Sequence, residues 1–413
     1  MARIIIKKGH NIQISGVPSL DLVNAGQTVS VAYLPEEFRY IKPKLLVNEG
    51  DTVKIGTPLF FDKKIPDVKW AALGSGKISA IHYGQRRVIE KIIIVVDKNE
   101  ETLEHTYYDH QEITNLTNDQ VKDQLLNAGM WPLIRQRPFN KIANPRDLPD
   151  SIFISCYNSA PLSVDLDVAL RNRRSSFQAG ITALSKLTEG KVNVVVDENC
   201  TSDTFKDLQH AETHLISGPH PAGNVGIQIH NINPLTPRKV IWTVNVQHVV
   251  TIGRLFLKGI FDPSLIIAIG GPGVKNPIHL KSRMGASIQS LVTDRLHDVS
   301  HRMVSGDVLT GSTVDKDDFI HYYNSAVASI PHSDKRTFLG MLHPGSSKSH
   351  YSLTHTYFKF GTSTFPFSTL QNGEERAMLP INTWENVLPM DILPNQLYRA
   401  IIANDIEEME QLG

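Results

Sequence analysis

A multidomain chain combining α+β and α/β modules is the fold class this sequence predicts, and three observations carry the prediction. The first hundred residues hold short runs of alternating apolar residues broken by frequent glycine turns, the pattern of a small, strongly bent β-barrel or sandwich. From Ser151 the periodicity changes to strand–helix–strand, which argues for an α/β layer with some parallel pairing. A length of 413 residues is enough for two to four domains, each with a substantial core.

Residues 1–100 form the first expected module. Val53, Ile55, Leu59 and Phe61 alternate as half-buried strand. Gly50-Asp51 and Gly56 supply tight turns, because glycine accepts positive φ without steric cost. The apolar strand Val88–Val96 ends the module. Glu49-Gly50-Asp51-Thr52-Val53 with Gly56 and Leu59, followed by Gly74-Ser75-Gly76, resembles the barrel-sandwich hybrid of lipoyl- and biotinyl-carrier domains. In lipoyl domains the modified lysine follows an aspartate at a hairpin tip, and Asp62-Lys63 falls near that place. Lys64, Ile65, Pro66 and Asp67 are expected to lengthen and distort the hairpin, and no Met-Lys-Met biotin signature is present. An unmodified, structural use of the fold is the expectation.

Residues 101–150 read as a helix and connector. A polar stretch, Asp97 to Asp119, precedes a short amphipathic helix over Gln120–Asn127, stopped by Gly129. Trp131–Lys141 reads as an extended connector, since its prolines prevent helix and bias their predecessors to extended backbone. A second proline-bearing segment, Asn144–Asp150, closes it. Residues 151–260 read as a Rossmann-like α/β domain. Ser151–Ser155 is a short buried strand, and Phe177, Ile181, Leu184 and Leu187 mark a helix face with Gly190 as its cap. Val192–Val196 and Leu215–Ser217 follow as strands, and a strand near Lys239 leads into a helix over Val250–Lys258.

Residues 261–316 read as a small mixed α+β module. It comprises a buried strand from Leu265, a glycine-rich turn over Gly270–Gly273, an amphipathic stretch over Ile288–Leu296, and Met303–Gly311. Residues 317–413 read as an α+β region. Its strand signals lie at Thr337–Leu342 and Tyr351–Phe360, and it ends in an acidic helix over Leu397–Leu412.

Composition excludes several classes of function. Lys+Arg and Asp+Glu both total 42, so nothing favours electrostatic tracking of nucleic acid or an acidic membrane surface. No run approaches the 18 apolar residues of a spanning helix, and Met1–Lys8 lacks the shape of a signal peptide. Membrane association is therefore expected through a partner. The two cysteines, Cys156 and Cys200, are too few for an iron–sulfur cluster or a cysteine-rich zinc site. They read as thiols rather than a disulfide.

Four segments carry candidate chemistry. No G-x-x-x-x-G-K-[ST] and no G-x-G-x-x-G between strand and helix is present. After Ser155, the run Cys156–Pro161 has no glycine to admit a pyrophosphate, so the α/β domain is expected to be Rossmann-like in shape only. The loop Ser217–Gly226 follows a strand, where open α/β sheets place ligand crevices. Its His220, between prolines, suits a proton relay or a rigid packing loop; with His214 and His230 its spacings match no common metal site. Arg135, Arg137 and Phe139 form a basic-aromatic cluster suited to a quinone ring and its carbonyl oxygens, or to pinning neighbouring domains through carboxylates. Phe38, Arg39 and Tyr40, in the loop Leu34–Tyr40, present the same alternatives.

Taken together, these segments resemble the NqrA family of the Na+-translocating NADH:quinone reductases. The resemblance runs through Lys7-Lys8-Gly9, the barrel motif, Arg137-Pro138-Phe139, His220-Pro221-Ala222-Gly223, Val225-Gly226 and Gly271-Pro272 with Val274-Lys275-Asn276-Pro277. It continues in Gly373-Glu374-Glu375-Arg376-Ala377-Met378 and Leu388-Pro389-Met390-Asp391-Ile392. The resemblance implies a peripheral subunit on the cytoplasmic face of the bacterial inner membrane, held by a membrane subunit of a six-subunit complex. That complex oxidises NADH, reduces ubiquinone and exports Na+, with its flavins and iron–sulfur cluster in other subunits. It further implies architecture similar to the flavoprotein subunit of complex I and to the corresponding protein of the related Rnf complex, without their cofactor motifs. Residues 261–316 would be the β-grasp (SLBB-like) module of that group. Arg135, Arg137, Phe139 and, less centrally, His220 are then expected near the quinone. A structural subunit without quinone contact and an acyl- or biotinyl-carrier protein are the alternatives.

Overall fold

The computed structural model describes residues 2–336, 338–342, 364–371, 377–379 and 381–412. Its first two strands lie in sheets of the later modules, although sequence order counts them with the barrel. Strand β1 (Arg3–Ile5) pairs in parallel with Arg3 opposite Leu215, and β2 (Leu22–Asn24) pairs in parallel with His279–Lys281. The N-terminal segment thus ties the modules together before the barrel begins.

The barrel consists of β3 (Ser30–Tyr33), β4 (Pro43–Leu45), β5 (Thr52–Val53), β6 (Pro58–Asp62), β7 (Ile65–Ala71), β8 (Gly76–Tyr83) and β9 (Ile89–Val96). They form two small sheets, β3-β9-β8-β5 and β4-β6-β7. Gly50 and Gly56 turn the chain at φ 92° and 96°, as expected. Val53, Ile55 and Leu59 are buried, but the alternation then slips: Phe60 is fully buried and Phe61 only partly so. A register shift in the β6–β7 ladder between Pro58 and Phe60 causes this, since one extra residue inverts every later side chain. Phe60 then stacks on Trp70, ring centroids 4.7 Å apart.

The hairpin after Asp62 is also tighter than expected. Asp62 pairs with Ile65 across a two-residue turn, Lys63-Lys64. The Asp62 carboxylate accepts the backbone N–H of Lys42 and of Lys64, at 2.8 and 3.0 Å. The Lys64 ammonium bonds the Tyr40 carbonyl. Ile65 to Asp67 belong to β7 itself and do not lengthen the turn.

Two helices follow, α1 (His110–Asn115) and α2 (Asn118–Asn127), each opened by a capping box, Asp109/Glu112 and Thr117/Gln120. Only the second was legible from apolar spacing. The stretch read as an extended connector is extended but not free. Its strand β10 (Ile134–Arg137) pairs antiparallel to Ile241–Val244 and to β11 (Lys141–Ile142).

The α/β layer continues through β12 (Ser151–Cys156), α3 (Leu166–Ala169), α4 (Arg174–Ser185), β13 (Lys191–Asp197), β14 (Glu212–Ser217), α5 (Val225–Ile232), β15 (Ile241–Val244) and α6 (Val246–Lys258). The sheet order is β1-β14-β13-β12-β15-β10-β11, parallel from β1 to β15. Two local expectations are corrected. Gly190 lies beyond the end of α4, where a β-carbon would come within 1.9 Å of the Asp150 carbonyl; close approach, not helix capping, requires glycine there. Helix α6 starts four residues before Val250, because the Asn245 side chain accepts the Gln247 N–H as an N-cap. The β-branched residues Val246, Val249 and Val250 disguise this start as strand.

The third module contains β16 (Ser264–Gly270), β17 (Ile278–Arg283), α7 (Ile288–Val292), β18 (His301–Ser305), β19 (Ser312–Val314) and β20 (Ala326–Pro331). They form the sheet β19-β18-β20-β16-β17-β2. The amphipathic stretch expected to Leu296 is helical only to Val292. No strand forms over residues 338–342, where Phe338 and Leu339 are exposed and Gly340–Leu342 is a single turn. Tyr351–Phe360 lies outside the described residues. The terminal helix is two, α8 (Pro394–Ala403) and α9 (Ile406–Leu412), separated by Asn404 in the left-handed region. Among the described residues no helix is long and apolar enough to cross a membrane.

Candidate functional site

Alternate residues of a strand share a face, so Arg135 and Arg137 of β10 project together while Ile134 and Gln136 point into the core. Arg39 joins them from the barrel, just after the one-turn helix Pro35–Glu37. The three guanidiniums lie within electrostatic reach of one another. Burial first, and then Arg135 and Arg39, bring the pKa of Arg137 to about 10; burial also lowers that of Arg135, opposed by Tyr323 and aided by Arg39. Among the described residues none of the three is paired with a carboxylate, and the Arg137 Nε is buried without a partner. The pinning of domains through carboxylates, one of the two expectations for these arginines, has no counterpart here.

The cluster stands on an aromatic floor drawn from two modules. The Arg135 guanidinium lies 4.4 Å from the Tyr323 ring centroid, a cation–π distance. Phe38, buried rather than displayed on its loop, meets Trp70 at 5.1 Å, Tyr322 at 5.4 Å and Tyr323 at 5.8 Å. Tyr33 adds contacts to Phe38, Phe60 and Tyr322. The Tyr323 hydroxyl donates to the Pro132 carbonyl at 2.7 Å, fixing its ring beneath β10.

Two buried ionisable groups complete the site. The Glu37 carboxyl accepts the Tyr322 N–H at 2.8 Å through Oε2, while Oε1 is buried without a partner. Loss of water raises its pKa to about 8, so it carries a proton at neutral pH. His248 of α6 packs 6.1 and 6.2 Å from the Tyr322 and Tyr323 rings. Burial first, and then Arg135, depress its pKa to about 3, leaving the imidazole neutral. Hydrogen-bond donors, a proton-bearing carboxyl and apolar ring faces therefore converge where barrel, α/β layer and third module meet. Glu37 lay in a loop already singled out, but Tyr322-Tyr323 and His248 carried no spacing signal, because only packing brings them to β10.

The remaining candidates separate. Phe139 and Tyr40 are 59% and 62% exposed, beyond the buried part of the cluster. His220 is held elsewhere, at the carboxyl edge of the parallel strands. Its Nδ1 lies 3.1 Å from the Ser159 hydroxyl, its N–H donates to Asn11, and its carbonyl accepts the His10 N–H. Burial lowers its pKa, opposed by Asp307. None of these contacts involves the arginines. His214 is likewise occupied, by the Ala2 N–H and Asn193, and among the described residues no His/Cys/Asp/Glu group could hold a metal ion. Cys156 and Cys200 are both free thiols. A separate cleft of about 670 Å³, lined by Asp67, Lys69, Trp131, Lys186 and Trp242 among others, opens between β7, α2 and the loop after α4. The buried cluster lies outside this cleft.

Comparison with known proteins accounts for all three modules. Residues 4–97 match the NqrA N-terminal barrel-sandwich hybrid domain, 116–261 the NqrA second alpha/beta domain, and 266–316 the NQRA C-terminal domain, an SLBB model. The NqrA protein of the Na(+)-translocating NADH-quinone reductase of Pasteurella multocida is 36% identical over 99% of this chain and 92% of its own length. Its counterparts in Yersinia pestis and Neisseria meningitidis are 38% and 37% identical with the same coverage. Among solved structures, an air-oxidized NAD+-reducing [NiFe]-hydrogenase chain aligns over 56% of this chain and 52% of its own. Its TM-score of 0.36 and 13% identity are too low to carry a fold argument.

Proposed function

The chain belongs to the NqrA family of Na+-translocating NADH-quinone reductase subunits, and from that premise we propose that its arginine cluster borders the quinone headgroup during reduction. The supporting observation is the absence of any carboxylate partner for Arg39, Arg135 and Arg137 among the described residues, with the Arg137 Nε buried and unpaired. Arg39 is exposed, but Arg135 and Arg137 are largely withdrawn from water, and cationic donors held so without a counter-charge are costly to maintain. They become favourable when an electronegative ligand arrives, and a quinone gains negative charge on its oxygens as it is reduced.

In this reading the chain is a peripheral subunit on the cytoplasmic face of the bacterial inner membrane, held by a membrane subunit. It carries neither flavin nor iron–sulfur cluster, and electrons reach ubiquinone from other subunits. The guanidiniums stabilise the developing quinolate oxygens, as preorganised donors do for an oxyanion. Glu37, protonated at neutral pH, is an internal proton reservoir for the quinol. Phe139 and Tyr40, both exposed, follow Arg137 and Arg39 along the chain and meet the ring from the solvent side. His220 serves the packing of the N-terminal segment.

Arg137→Ala in the assembled complex is expected to raise the ubiquinone KM by about tenfold, the worth of one charge-assisted hydrogen bond. NADH oxidation with an artificial acceptor should stay unchanged. Impaired assembly with an unchanged quinone KM for Arg137→Ala/Phe139→Ala would instead support a purely structural subunit, and an unchanged quinone KM with normal assembly would overturn the reading. Photoaffinity labelling by a quinone analogue gives an independent readout, and label confined to membrane subunits would sink the reading.

A second reading, a carrier protein, rests on the tight Lys63-Lys64 turn, which leaves Lys63 exposed, but the unmodified, structural use of the fold remains the expectation. The intact mass of the chain from cells with active ligases should equal the unmodified sequence mass, and an added lipoyl or biotinyl mass would reverse that expectation.

A further inference from the structure

We propose that the tip of the β8–β9 hairpin is a contact for the anionic phospholipid surface, made by Arg86 and Arg87 with Tyr83 and Val88. The two strands pair as far as Tyr83 opposite Ile89, and the five residues between them close on themselves. The Gly84 N–H donates to the Val88 carbonyl at 2.9 Å, and the Val88 N–H donates to the Gln85 carbonyl at 3.2 Å. Arg86 and Arg87 fill two successive positions of positive φ, 56° and 59°.

Hairpin turns with two positive-φ positions favour Asn-Gly or similar pairs, because a β-carbon crowds the backbone there. This chain places Arg-Arg instead, and both side chains are exposed, so no burial compensates the strain. A local preference overridden without a packing gain points to use of the side chains themselves.

The chemistry around the turn selects the partner. Among the described residues neither arginine meets a carboxylate. Glu90 folds back against Gly84 beneath the tip, and Lys91 is engaged by Asp318 at 2.7 Å. The Arg87 guanidinium lies 6.0 Å from the Tyr83 ring, and Tyr83 and Val88 are 48% and 46% exposed. Guanidinium forks suit phosphate oxygens, while tyrosine settles at headgroup depth. A five-residue point is far smaller than the roughly 800 Å² per partner of a stable protein interface, whereas a lipid surface needs only the point. The inference is independent of the quinone reading.

The test is sedimentation of the full chain with phosphatidylglycerol-containing vesicles against phosphatidylcholine vesicles at low salt. The comparison variant is Arg86→Asn/Arg87→Gly, whose turn is the relaxed one, so its thermal stability should match or exceed that of the parent. Binding is expected on the anionic vesicles only, to fall about thirtyfold in the variant, as two basic residues imply, and to persist when inorganic phosphate is added at constant ionic strength. No binding by the parent, equal binding by parent and variant, equal binding to phosphatidylcholine, or displacement by inorganic phosphate would overturn the proposal.

Discussion

Glu37→Gln is expected to abolish the loss of stability that the parent protein undergoes between pH 6.5 and 8. The Glu37 carboxyl has a folded pKa of about 8 against an ordinary value of 4.5, raised by burial. Its contribution to stability is therefore fully present below pH 4.5, declines as pH rises, and is gone above pH 8. His248 acts with the opposite sign. Its pKa falls from 6.5 to about 3 on burial, so its contribution is present above pH 6.5 and is lost as pH falls toward 3. Between pH 4.5 and 6.5 the two slopes offset each other, and above 6.5 only that of Glu37 remains. The limb from 6.5 to 8 then amounts to about 2 kcal/mol at roughly 1.36 kcal/mol per pH unit. Glutamine keeps the Tyr322 N–H···O bond and the volume without the ionisation. Urea midpoints at pH 6, 7 and 8 should fall for the parent and stay level for the variant, and parallel declines would refute the assignment.

Gly253→Val should be among the most destabilising single changes in the α/β layer. Helices α4 and α6 cross with their backbones in contact. A β-carbon at Gly253 would come within 1.7 Å of the Ser176 carbonyl, and one at Gly180 within 2.1 Å of the Val249 carbonyl. These neighbours are backbone atoms and cannot rotate away, so the helices must separate and open the core between them. The expected cost is on the order of 3 kcal/mol, the upper part of the overpacking range. It reaches the candidate site too, since α6 carries His248. Gly226 of α5 is the control: a β-carbon there meets nothing within 4 Å, and Gly226→Ala should be neutral or stabilising by up to about 1 kcal/mol. Equal denaturation midpoints for the two variants would show that the crossing is not close-packed as described.

Much of the fold was legible where local chemistry governs it. The Gly50 and Gly56 turns, the strand at Ser151 and the face marked by Phe177, Ile181 and Leu184 need only backbone sterics and apolar period. Errors fall where a neighbour in space decides. Phe60 is buried in place of Phe61 because of a register shift against β7, and the supposed connector is strand because β15 offers it partners. In the site, β10 places Arg135 and Arg137 on one face as period two requires, and Arg39 proved to share their field. His220 did not, for its loop is captured by His10 and Asn11 of the N-terminal segment.

The family and its modular order were determined by the sequence, because glycine turns, apolar periods and the Glu49-Gly50-Asp51 motif are local and accumulate along the chain. Tertiary structure alone decided the state of the charged groups. Whether a guanidinium is solvated or buried without a counter-ion, and whether a carboxyl holds its proton at neutral pH, depends on desolvation by residues far away in sequence. The Tyr322 N–H reaches the Glu37 carboxyl from 285 positions away, a distance over which no sequence pattern acts.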